Sequence, residues 1–130
     1  MKSRIIILFS LLSTVFMQYS QAQTSSQNYI RTRTMTNESG TSFVEQVDYY
    51  DGLGRLLETV QAKAGGNSQD LIVLTDYDSY GRKDKIWLPV AVNTNNSNYV
   101  APSTLRSNAP GFNANDSKPY SQIIYEASPL

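Results

Sequence analysis

Two residue types are missing altogether: the 130-residue chain has no cysteine and no histidine. Without cysteine there are no disulfide staples, no thiolate nucleophile and no lipid anchor through an N-terminal cysteine. Without either residue there is no Cys/His zinc site and no histidine general base. Charge of one sign is also never concentrated. Eleven Lys and Arg balance eleven Asp and Glu, and no block of like charge interrupts the chain. That gives neither a nucleic-acid stripe nor a patch for an anionic membrane. Long apolar runs are scarce as well. The longest, the mainly apolar Ile5 to Met17, falls short of the roughly 20 residues that a spanning helix needs.

What the first residues do contain reads as a secretory signal. Lys2 and Arg4 precede the apolar run, and Ser20-Gln21-Ala22 places small residues where a signal peptidase reads them. Cleavage is expected between Ala22 and Gln23. Removing residues 1–22 takes Lys2 and Arg4 with it and leaves a charge of 9 minus 11, or −2. The expected location is therefore outside the cytoplasm: periplasmic, cell-surface or extracellular, with no membrane contact once the signal is gone. A chain this short without staples is expected to be only marginally stable by itself.

The strongest internal signal is a repeat. Tyr50-Asp51-Gly52-Leu53-Gly54-Arg55 returns as Tyr77-Asp78-Ser79-Tyr80-Gly81-Arg82. Tyr50, Asp51, Gly54 and Arg55 are matched at one constant offset by Tyr77, Asp78, Gly81 and Arg82. Asp51 and Asp78 suit the first position of a β-turn, where a carboxylate accepts backbone N–H groups. Gly54 and Gly81 suit the closing position. The unit reads as a β-hairpin, its tyrosine ending the incoming strand and its arginine beginning the outgoing one. If hairpins stack, an arginine of one unit can lie over a tyrosine of the next. Valine at Gly54 or Gly81 should destabilise the chain, and valine at Gly65 in a loop should do so less.

Around these turns the alternation predicts strands over 28–36, 42–50, 55–62 and 82–88, with Leu71–Leu74 as a central strand and Pro89 as a stop. Leu56–Val60 also carries helix formers, but its flanking turn signals favour strand. Residues 93–119 are rich in Asn, Ser, Ala and Pro and read as an irregular spacer. Tyr120–Glu126 then recovers strand character. The expected fold is all-β: antiparallel hairpin repeats over 23–92, a long irregular spacer, and the start of a truncated repeat at 120–130. Because 120–126 has no hairpin partner after it, residues 93–130 are expected to be mobile.

A Tyr-Asp-x-x-Gly-Arg motif followed by a strand resembles the YD repeat of Rhs-type bacterial proteins, which also occurs in toxin-complex shells and in teneurins. The likeness covers residues 43–89, and Tyr125-Glu126-Ala127-Ser128-Pro129-Leu130 looks like the opening of a divergent third copy. The resemblance implies that such repeats wind a sheet into a hollow shell. A chain with so few copies would start or cap that sheet, with downstream repeats of the same or a neighbouring chain as partners.

Other chemistry is weaker. Asp48 with Asp51, or Asp76 with Asp78, have the residue types of a glycosidase pair, and Asp76 with Asp78 of a calcium site. The repeat explains the turn aspartates without either. No catalytic residue, metal site or cofactor is expected. Tyr49, Tyr50, Tyr77, Tyr80 and Trp87 leave an alternative open: a small secreted module that binds a cell-surface glycan through a tyrosine-rich face. Three Asn-x-Ser sequences, at Asn37, Asn95 and Asn115, match the glycosylation pattern; in a bacterial protein, which the resemblance implies, they are incidental.

Overall fold

The computed structural model describes residues 26–93 and 96–127. The expected signal segment, with its cleavage point between Ala22 and Gln23, lies outside the described residues. Within them the chain forms strands β1 (Asn28–Met35), β2 (Phe43–Tyr50), β3 (Leu56–Gln61), β4 (Asp70–Tyr77), β5 (Lys83–Trp87), β6 (Val90–Val92) and β7 (Tyr120–Gln122), with one α-helix, α1 (Pro102–Phe112). All pairings are antiparallel. The sheet runs β1-β2-β3-β4-β5-β7, and β6 pairs with the first half of β4. The fold is all-β in the sense expected, an open sheet with one short α-helix among the described residues.

Period-two alternation decides which side of the sheet is covered. On β2, Val47 and Tyr49 are fully buried, and they lie opposite Val60 and Glu58 of β3. Those in turn lie opposite Ile72 and Leu74 of β4. All six side chains are buried and form the inner face. Leu71 and Val73 point the other way and are half-buried, so β4 is central without being sealed on both faces.

The cover over the inner face comes from the segment expected to be an irregular spacer. Residues 96–101 run across it as a strap, and α1 follows, adding Leu105 and Ala109 to the core. Proline and asparagine concealed this helix. Pro102 stands in the first turn, where its missing N–H costs nothing. Pro110 stands in the last turn. Leu105 and Ala109 are four apart and so share one face. The Asn113 side chain then donates to the Ala109 carbonyl at 2.9 Å and closes the end. Residues 93–130 were expected to be mobile; the described residues 96–127 instead pack on the sheet. β7 pairs with β5 through Trp87↔Tyr120, Ile86↔Ser121 and Lys85↔Gln122, and the Trp87 and Tyr120 rings meet at 4.9 Å.

Candidate functional site

The two motif copies are closed by the same set of hydrogen bonds. In the first, Gly54 N–H donates to the Asp51 carbonyl at 3.0 Å and Asp51 N–H to the Arg55 carbonyl at 2.9 Å. In the second, Gly81 donates to Asp78 at 3.0 Å and Asp78 to Arg82 at 2.8 Å. Each aspartate uses both oxygens. Asp51 Oδ1 accepts the amides of Leu53 and Arg55, both at 2.9 Å, and Oδ2 accepts Arg55 Nε at 2.7 Å. Asp78 Oδ1 accepts the amides of Tyr80 and Arg82, both at 2.9 Å, and Oδ2 accepts Arg82 Nε at 2.8 Å. Gly54 and Gly81 hold φ of +76° and +78°, where glycine alone is unstrained. The strand register slips by one residue beside each turn, between Tyr49 and Tyr50 and between Asp76 and Tyr77.

These bonds set the carboxyl acidities. The Arg55 amide, followed by its guanidinium and the Leu53 amide, holds the Asp51 carboxyl below the usual range against partial desolvation. At Asp78 desolvation pushes upward, but the Arg82 amide, the Arg82 guanidinium and the Tyr80 amide outweigh it.

Between copies the motif builds a ladder. The Arg55 guanidinium carbon lies 4.6 Å from the centre of the Tyr77 ring, and Tyr77 OH donates to the Leu56 carbonyl at 2.8 Å. The same pair of contacts recurs one step on. Arg82 lies 4.1 Å from the centre of the Tyr125 ring, and Tyr125 OH donates to the Lys83 carbonyl at 2.9 Å. Leu56 and Lys83 each follow a motif arginine directly, so Tyr125 occupies the place of Tyr77 although it stands much further along the chain. The extra length is taken up by β6, the strap and α1. Each such stack contributes about 0.5–1 kcal/mol. A double-mutant cycle on Arg55→Ala and Tyr77→Leu should return a coupling of that order by chemical denaturation. A coupling indistinguishable from zero would mean that the stack carries no stability.

The tyrosines weighed as a sugar platform have different surroundings. Tyr49 is fully buried, edge-on to Tyr99 at 5.5 Å. Tyr77 lies under Arg55. Tyr80 is 83% exposed at the tip of its turn. Trp87 donates Nε1 to Asp76 at 2.8 Å. The acids singled out as pairs are also engaged elsewhere. Asp48 accepts from Thr59 and Gln46. Asp76 receives the Arg106 guanidinium of α1 on both oxygens, at 2.6 and 3.1 Å. Desolvation pushes the Asp76 carboxyl upward, but Arg106 and Trp87 outweigh it and lower its pKa. A carboxyl lowered in the fold stabilises it above the ordinary carboxylate range and loses that contribution as pH falls. Asp76→Asn should therefore remove part of the acid sensitivity of α1, followed as amide protection over residues 102–112. An unchanged acid profile would place that sensitivity in other groups.

Sequence reasoning missed a set of buried polar anchors beneath the strap. Asp70 accepts the Lys63 and Ser97 amides, each at 2.9 Å. Tyr49 OH donates to the Ser97 carbonyl at 2.7 Å. Glu58, fully buried, accepts the Val100 amide at 3.0 Å through Oε1. No pattern in the sequence marks them, because the strap backbone groups they hold lie far along the chain.

The geometry defines an open antiparallel sheet built on stacked, identically closed hairpin turns. The family model described as "Domain of unknown function (DUF6443)" matches residues 20–130, and the chain belongs to that family. No curated protein and no solved structure shows significant similarity to it.

Proposed function

We propose that this chain is an exported, non-enzymatic structural segment, the N-terminal start or cap of an Rhs/YD-repeat β-shell. One observation carries the reading: the arginine–tyrosine step repeats with the same partners from Arg55–Tyr77 to Arg82–Tyr125. A contact that recurs at each step is how a stacked-repeat sheet propagates. Tyr125 occupies the motif tyrosine position after β7, the incoming strand of a further hairpin. The third copy departs from the pattern, with Glu126 in place of Asp and Pro129 in place of Gly. A proline cannot adopt the φ of Gly54, so a third turn would be closed differently. The partners in this reading are further repeats of the same or a neighbouring chain.

The test is to extend the chain. A version carrying one Tyr-Asp-x-x-Gly-Arg hairpin after Glu126 should melt higher than one carrying a Gly/Ser segment of equal length, and should protect the Gln122 and Ile124 amides, which face away from β5 while the Ile123 amide is already bonded to Asp84. Equal melting and equal exchange would count against the reading. Export is tested separately, by mass spectrometry of the secreted product. The expected N-terminus is Gln23, and an unprocessed cytoplasmic product would overturn that part.

A further inference from the structure

Glu58 is unlike every other acid described in the sheet. It lies mid-strand on β3, directly between Tyr49 of β2 and Leu74 of β4, and has no exposed surface. Its Oε1 accepts the Val100 amide of the strap, while its Oε2 is buried with no hydrogen-bond partner among the described residues. No described cation is bonded to it. The titratable groups around it on this face are Tyr49 from β2, Tyr99 from the strap, and the Asp76–Arg106 pair joining β4 to α1; further along β4 on the same face, buried Asp70 holds the Ser97 amide of the strap. Tyr49 donates to Ser97 instead, and Arg106 is held by Asp76 at 2.6 Å. A charged carboxylate in that position would be buried with one amide donor on Oε1 and none on Oε2, which disfavours ionisation.

We propose that Glu58 makes the cover formed by residues 96–112 a proton-operated clasp: the strap and α1 close over a neutral Glu58, and opening of the cover releases its proton. The step balances simply. The O–H bond on Oε2 breaks, the proton passes to water, and the carboxylate is hydrated in the open form. Burial, only partly offset by the Val100 amide, raises the Glu58 pKa from 4.5 to about 7. The open form has the ordinary value. Closure is therefore fully supported below 4.5 and weakens as pH rises, up to about 7, beyond which both forms are ionised. Asp76, whose carboxyl is lowered rather than raised, loosens the cover in the opposite direction, as pH falls. An open cover presents the apolar inner face, including Val47, Val60 and Ile72.

The experiment is hydrogen exchange on the secreted protein between about pH 4.5 and 7.5, corrected for intrinsic exchange, with peptides spanning residues 96–112 compared with β2 and β3. Protection over 96–112 should fall at least roughly tenfold across that window, each pH unit allowing up to a factor of ten. Glu58→Gln, which keeps the shape and removes the charge, should flatten the dependence. Unchanged protection in the wild-type chain, or the same fall in Glu58→Gln, would overturn the proposal. Should the variant misfold, the Glu58 side-chain carbonyl resonance decides in the wild-type protein. A midpoint near 7 supports the clasp, and one near the ordinary value of 4.5 overturns it.

Discussion

Leu105→Ala will lower the unfolding free energy by roughly 2–5 kcal/mol, the cost of emptying a well-packed core position. Leu105 is 1% exposed and packs in one cluster with Ile72, Leu74 and Val90. Marginal stability makes such a loss a large fraction of the total. Urea unfolding followed through Trp87, which packs against the same cluster, measures it. Phe112, at the end of the same helix and 50% exposed, is the internal comparison. Phe112→Ala should stay within about 0.5 kcal/mol. If Leu105→Ala were equally mild, α1 would not be seated on the sheet in solution.

Gly81→Val will destabilise by roughly 1–3 kcal/mol through backbone strain, with the larger part of that range expected here rather than at Gly54. Both glycines hold positive φ, but their surroundings differ. A side chain at Gly54 meets open space, whereas a Cβ at Gly81 would sit 3.0 Å from Arg55 Nη1. Valine at 81 therefore adds displacement of Arg55 from the Tyr77 ring to the strain. Gly52 is in the first turn, outside the left-handed region and in open space, so Gly52→Val is the neutral control. Thermal melting of the three variants should rank Gly81 above Gly54, with Gly52 nearly unchanged. Equal losses at Gly52 and Gly54 would mean that the turn does not depend on φ. Gly65, where valine is expected from sequence to destabilise less, is a poor control. A Cβ there meets Gln69 Cβ and its carbonyl at 3.2 Å and Leu71 Cδ2 at 3.3 Å.

Local chemistry explains which parts of this fold could be read from sequence. The turns at Asp51 and Asp78 are closed by groups the motif itself supplies, so the residues state their own geometry. The strands flanking them follow from alternation, and the observed limits of β1, β2, β3 and β5 lie within a residue or so of the expected ones. Tyr125 was recognisable as a third tyrosine for the same reason. The helix was not recognisable, because its apolar face amounts to Leu105 and Ala109 among Ser, Asn and Pro, and its stability comes from the sheet beneath. Glu58 and Asp70 were invisible for a related reason. An acid in a strand reads as solvated until the segment that covers it is known. Arg106, which clamps α1 to Asp76, lay in a stretch without apparent pattern.

The pairing scheme also implies a sequence of events during folding. Tyr50 and Leu56, or Tyr77 and Lys83, pair across a single tight turn, whereas Trp87 must find Tyr120 across the whole of β6, the strap and α1. Closing short loops is fast and long ones slow, so the two motif hairpins are expected to form early and β7 with the cover late. Substitutions in the turns should then slow folding, and substitutions in α1 should mainly hasten unfolding. In the interval the inner face of β2, β3 and β4 stands bare, and a chain caught there offers a sticky apolar surface to its neighbours.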